Sequence, residues 1–212
     1  MKFLSIDIET TSIKPKNGEL LSFACVLEDT NNIKPVEDLP HFYCVFKQPS
    51  FKGDVHALNM NKELINEITE GTSKHLIEIS DFNQMFNNFL ASNTKTYHTS
   101  NSCVIINEKI RGNRFYPTLP TDVAKAVKIK VCGKNFASFD KVWIENKIPN
   151  FNKYFQFHHR MMDVGSMFVD LKNDQWIPDL KECMVRSGIE GEVSHNALQD
   201  ARDVIRVLRT KY

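Results

Sequence analysis

Two carboxylates, Asp7 and Glu9, stand two residues apart in the segment FLSIDIETT near the amino end of the chain. Side chains alternate along a strand, so Leu4, Ile6 and Ile8 share one face while Ser5, Asp7 and Glu9 share the other. A segment this apolar reads as a core strand. Two like charges close together at a core are costly unless a cation neutralises them, although the same pair also suits a strand end that faces water.

Further acids repeat the question. In GKNFASFDKVWI a strand ends at Cys132, Asn135 and Ser138 supply turn or cap chemistry, and Asp140 falls in the first turn of a helix, where an acid also satisfies the helix dipole. In the closing HNALQDARDVIRVL, Asp200 lies three residues after Ala197 and four before Val204, at the edge of an apolar stripe. Asp203 is turned roughly opposite Ala201 and reads as ordinary surface charge. His195 precedes that helix by one turn, as either a helix-start hydrogen bonder or a base. Together, Asp7, Glu9, Asp140 and Asp200 supply hard oxygen ligands and His195 a candidate base. The set suits two Mg²⁺ or Mn²⁺ ions ~4 Å apart, which activate a water and stabilise the leaving oxygen of a phosphodiester.

The elements that must carry these residues follow from periodicity. Alternating or continuous apolar runs predict strands over Phe3 to Ile8, Leu20 to Leu27, His41 to Phe46, Val127 to Cys132 and Phe155 to Met162. The first three, joined by short turns, form a meander with at least one antiparallel pair. Helical spacing marks Leu64, Ile65 and Ile68 before Gly71, then Phe82, Met85, Phe86, Phe89 and Leu90, then Phe139 to Ile144. Later helices run from Val164 to Leu171 with Asp163 as N-cap, from Leu180 to Arg186, and from about Ala197 to Thr210. The stretch from Ser92 to Ala126 is irregular and reads as an insertion before the fourth core strand. Its Lys109, Arg111 and Arg114 beside Phe115 and Tyr116 either grip a nucleic-acid strand or form a solvated hairpin. Strands first and then strand and helix in alternation indicate an α/β mixed sheet with helices on both sides, as one domain over residues 1–212.

Composition narrows the partners. The chain has 212 residues, enough for one sizeable core, and 27 basic against 26 acidic residues leave a net charge of +1. No global field draws it to nucleic acid or membrane, so any such partner is recognised locally. The five cysteines show no paired spacing for zinc and read as core residues of a reducing compartment. No apolar run reaches the ~20 residues of a membrane span, and the expected location is cytoplasmic.

In their order along the chain, FLSIDIETT, NFASFD and HNALQDA resemble the DxE, FD and HxAxxDA motifs of the DEDDh 3′-to-5′ exonucleases, the superfamily of proofreading exonuclease subunits, RNase T and oligoribonuclease. The histidine five residues before the last aspartate selects the DEDDh branch. The resemblance covers the chain outside the insertion. It implies an RNase H-like fold with a central five-stranded mixed sheet, two metals held by Asp7, Glu9, Asp140 and Asp200, and His195 deprotonating the attacking water. The implied product is a nucleoside 5′-monophosphate released from a single-stranded DNA or RNA 3′ end, with DNA slightly favoured. By motif position, Thr10, Thr11 and Ile13 face the terminal nucleotide, and Asn135 and Phe139 line the same groove, although Phe139 also suits plain core packing. His56 is a further candidate near the substrate, whereas His158 and His159 read as structural. The chain departs from the pattern at Ser12, where the family carries glycine. Catalytically silent binding modules and RNase H-like endonucleases are the alternative readings of the same fold.

Overall fold

A computed structural model describes residues 1–94 and 126–212. The expected insertion, with its Lys109, Arg111, Arg114, Phe115 and Tyr116, lies almost wholly outside the described residues.

The meander forms as its alternation dictates. Strands β1 (Lys2–Thr10), β2 (Leu20–Asp29) and β3 (His41–Phe46) are antiparallel neighbours. A two-residue strand, β4 (Leu76–Ile77), adds to β3 in parallel. Between them lie helices α1 (Val55–Met60) and α2 (Lys62–Glu70), the latter stopped by Gly71 in the left-handed region at φ 68°. Helix α3 (Phe82–Asn93) follows.

After the insertion come β5 (Val127–Ile129), β6 (Val131–Gly133), α4 (Asp140–Lys147), α5 (Phe151–Tyr154), β7 (Phe155–Phe157) and β8 (Met162–Asp163). The chain closes with α6 (Val164–Phe168), α7 (Leu180–Arg186) and α8 (Ala197–Arg209). The main sheet runs β4-β3-β2-β1-β6-β8, with β6 and β8 parallel to β1's direction, and β5 and β7 form a separate parallel pair. The fold is therefore the mixed, helix-flanked sheet that the sequence implies.

Both faces of this sheet are covered, which is why β1 is buried along nearly its whole length. Leu4, Ile6 and Ile8 enter a core with Phe23, with Phe82 and Phe86 of α3, and with Trp143 of α4. The rings meet edge to face, Phe23 to Phe82 at 4.9 Å and Phe86 to Phe155 at 5.0 Å, a geometry their quadrupoles favour. On the other face Phe3 packs with Val204, Val207 and Leu208 of α8. Period two thus aims Asp7 and Glu9, which share the Phe3 side, at α8 and its Asp200.

Four expectations need correction. Among the described residues the main sheet has six strands rather than five, because β4 is too short to leave a periodic signal. The predicted strands over Val127 to Cys132 and Phe155 to Met162 each break in two, at Lys130 and at 158–161, and their first halves leave the main sheet. Asp203 is not surface charge. It is 4% exposed and accepts hydrogen bonds from Gln199 and Arg206. The segment bearing Val36 and Leu39 covers that flank of α8, and Glu37 takes the other end of Arg206. The helix expected over Val164 to Leu171 also stops early, at Phe168, while its cap is as expected, with Asp163 accepting from the Ser166 N–H at 3.2 Å.

Candidate active site

The strand presents its acids where the sheet ends. Asp7 and Glu9 lie opposite Ala24 and Ser22 of β2, and the register slips between Glu9 and Thr10, so the ladder is irregular just past the second carboxylate, where Thr10 pairs with Leu20. On the other side β1 bonds to β6 only around Leu4 and Ser5. The Ile8 N–H lies near the carboxylate of Asp140, the first residue of α4, which stands beside the end of β1.

Helix α8 brings the fourth acid. Asn196 caps it by accepting from the Gln199 N–H at 3.2 Å, so the first turn begins squarely at Ala197 and Asp200 faces the sheet, 6% exposed. Ser194 fixes that carboxylate from outside the helix, donating its N–H at 3.3 Å and its hydroxyl at 3.1 Å. His195 sits between Ser194 and the cap with φ 50°, a left-handed conformation that turns the exposed imidazole residue out of the helix line. One carboxylate oxygen each from Asp7, Glu9 and Asp200 lie within 4.8 Å of one another.

Electrostatics make the cluster unhappy alone. Burial, joined by the charges of Asp140, Glu9 and Asp200, drives the Asp7 carboxyl well above its ordinary range. Burial and then Asp200 push Glu9 up to about 8, against a side-chain hydrogen bond from Asn61. Asp140 is raised by burial despite backbone N–H bonds, and Asp200 is raised by burial against the Ser194 bonds. Each acid resists ionising beside the others, which is the condition a bound cation relieves. Oxygen-only donors, converging from three elements, fit a hard divalent ion such as Mg²⁺ or Mn²⁺.

Two openings flank the cluster. A cavity of about 540 Å³ borders Glu9 and His195, walled by Tyr43, Asn61, Lys74 and His75. A second, of about 380 Å³, borders Asp7 and is lined by Lys134, Asn135, Ser138, Phe139 and Asp140.

The expected substrate residues are distributed unevenly. Asn135 and Phe139 line the second opening, and Phe139 also packs toward Trp143 at 6.3 Å, so it serves both the groove and the core. Ile13 is 74% exposed, its N–H on Asp54 at 3.3 Å. Thr10 and Thr11 are buried. Thr10 donates its hydroxyl to the Ser12 carbonyl. Thr11 donates its hydroxyl to the Lys52 carbonyl, accepts there from the Glu19 N–H, and accepts at its carbonyl from the Asp54 N–H at 2.8 Å. Thr11 thus fastens the end of β1 to the segment before α1, while Thr10 closes the turn that follows the strand. His56 is exposed on α1, and His158 and His159 stack on each other at 4.4 Å in the bend between β7 and β8.

Sequence reading missed two groups at the site. Asn61, at the junction of α1 and α2, is 3% exposed, donates to the Thr10 and Ala57 carbonyls at 3.2 Å each, and lies beside the Glu9 side chain. Its only signal is a polar residue between two short helices. Ser194 adjoins His195 in sequence, and nothing in its spacing marks it as the donor to Asp200.

No protein-family model matches the sequence, and no curated protein matches it. Solved structures do match by fold. Exonuclease I of E. coli, in its zinc-bound complex with single-stranded DNA, superposes with a TM-score of 0.57 at 14% identity, over 99% of this chain and 41% of that one. A moderately thermophilic exonuclease I from Methylocaldum szegediense gives 0.56 at 15% identity, over 98% and 40%. Pop2p of S. pombe, in a form with Mg²⁺ and Mn²⁺ bound, gives 0.56 at 13% identity, over 99% and 83%. This chain thus spans about two-fifths of the length of the exonuclease I structures.

Proposed function

We propose that this chain, sharing the fold of exonuclease I, is a DEDDh-type, metal-dependent 3′-to-5′ exonuclease. It releases nucleoside 5′-monophosphates from single-stranded nucleic-acid ends, DNA slightly favoured over RNA. The observation that carries the reading is the convergence of Asp7, Glu9 and Asp200 within 4.8 Å, with Asp140 beside them. Four acids from three distant segments, each penalised by burial, have no structural purpose together without cations. The Mg²⁺ and Mn²⁺ of Pop2p and the single-stranded DNA of exonuclease I support the choice of ion and substrate.

In this reading Asp7, Glu9, Asp140 and Asp200 hold two divalent cations. Bound there, such ions supply Lewis acidity toward the phosphodiester and a water of lowered pKa. His195 takes the proton of the attacking water, since its exposed side chain adjoins the cavity bordered by Glu9. Ser194 keeps Asp200 aimed, and Asn61 does the same for Glu9. Ile13, Asn135 and Phe139 contact the terminal nucleotide, while Thr10 and Thr11 hold the strand end that carries the acids.

The test uses 5′-labelled single-stranded DNA and RNA with Mg²⁺ or Mn²⁺, with and without chelator. A ladder that shortens from the 3′ end, stops with chelator and is lost in Asp7→Ala supports the proposal. Equal activity in Asp200→Ala would remove the site altogether.

A further inference from the structure

The opening beside Asp7 does not end at α4. Asn135 and Ser138 line it and also line a further cavity of about 220 Å³, whose other walls are Met161, Met162, Asp163, Ser166 and Ile177. The two openings therefore adjoin at Asn135 and Ser138 in the turn before α4, one bordering Asp7 and Asp140 and the other reaching Ile177. Beside Ile177 stands Trp176, 85% exposed, while Ile177 itself is 56% exposed. Trp176 thus offers an exposed aromatic face one residue from a wall of the second opening.

Charge along the groove admits a polyanion. Lys134 lines its start, with Nζ on the Asn135 side chain at 2.6 Å, and its stem and Ile177 both pass over Gly165. Arg160 is exposed in the bend just before Met161. The neighbouring acids are already engaged. Asp163 accepts from the Asn135 and Ser166 N–H groups, Asp174 is paired with Arg186, and Asp179 caps α7 at the Glu182 N–H.

Resting on the exonuclease reading, we propose that this groove carries the single-stranded substrate away from the reacting end, with an upstream base stacked on Trp176 and seated against Ile177 and Met161. Lys134 and Arg160 accompany the backbone. Aromatic stacking of this kind tolerates any base, so the subsite grips length rather than sequence.

The molecule carries its own reporter. Of its two tryptophans, Trp143 is fully buried and Trp176 is open, so changes in emission on ligand binding report Trp176. The full-length chain is titrated in Mg²⁺ with an oligothymidylate whose 3′-terminal linkages are phosphorothioate, following tryptophan emission and the anisotropy of a 5′ label. Saturable quenching is expected, with Trp176→Ala weakening binding about 5-fold or more and Trp176→Phe restoring most of it. Unchanged affinity in Trp176→Ala, or binding without quenching, would overturn the subsite and leave the hydrolysis reading intact. Quenching and weakened binding by Trp176→Ala in a chain that forms no 3′-shortened ladder would uphold the groove and remove the exonuclease. A melting curve of Trp176→Ala matching that of the parent shows that a loss of binding is local.

Discussion

At the scale of single residues, the account turns on acids that are more protonated when folded than when unfolded. Glu9 moves from an ordinary 4.5 to about 8 on folding, so its contribution to stability is complete below about pH 4.5 and is lost as pH rises through about 8. Asp7 and Asp140 shift in the same direction. Chelated protein should therefore melt at lower temperature at about pH 8 than at about pH 5, by several degrees. Glu9→Gln should flatten that slope and melt higher than the parent at the alkaline end, because an amide carries no charge to bury. Added Mn²⁺ should raise the parent's melting temperature most at alkaline pH and leave Asp7→Asn unmoved. A parent whose melting point climbs from pH 5 to 8 without cation would contradict the burial argument. His195 belongs to another category: His195→Ala should lower kcat by about 10²- to 10⁴-fold while the Mn²⁺-induced stabilisation persists, measured by single-turnover hydrolysis beside thermal melts.

Secondary elements place the residues, and two contacts dominate that placement. Gly53 lies so close to the fastened end of β1 that a Cβ there would sit 2.1 Å from the Thr11 carbonyl oxygen. Gly53→Ala must displace that strap, and a loss of about 1–3 kcal/mol by urea denaturation is expected, together with lower activity because Glu9 is two residues from Thr11. At the far end of α8, the fully buried Glu28 is met by Arg209 at 2.7 Å, fixing the helix against β2. Arg209→Met leaves that charge unpaired and should cost about 3–5 kcal/mol, more than Lys47→Met, whose partner Glu78 is solvated. Much at this scale was legible in the sequence. Strand β3 and the long helices kept their expected places because their apolar periods are strong, and Asp163 caps as expected because its chemistry is local. The strand breaks at Lys130 and at 158–161 were not legible, since each follows from a neighbouring strand rather than from its own residues. Asp203 misled for the same reason: a helical wheel cannot show the Val36–Leu39 segment that covers it.

The whole molecule explains why distant motifs meet. A central strand buried on both faces aims its odd side chains at α8, while α4 sets its first acid, Asp140, beside the Ile8 N–H at the end of that strand. The candidate ligands were thus readable from spacing and motif, whereas their supports, Asn61 and Ser194, required the three-dimensional path of the loops. The route proposed for the substrate runs from the acids across the turn before α4. If Lys134 tracks the backbone, Lys134→Ala should weaken oligonucleotide binding and reduce the salt dependence of log Kd by about 0.7, measured by anisotropy across a salt series.

Calorimetric titration of the metal-free chain with Mn²⁺ near neutral pH, repeated in buffers of different ionisation heat, addresses the acidic cluster most directly. Saturable binding with release of about one proton or more is expected, because Glu9 is still largely protonated at that pH, and Asp7→Asn should abolish it. Absence of binding by the parent, or binding of equal strength by Asp7→Asn, would show that these carboxylates do not gather a cation.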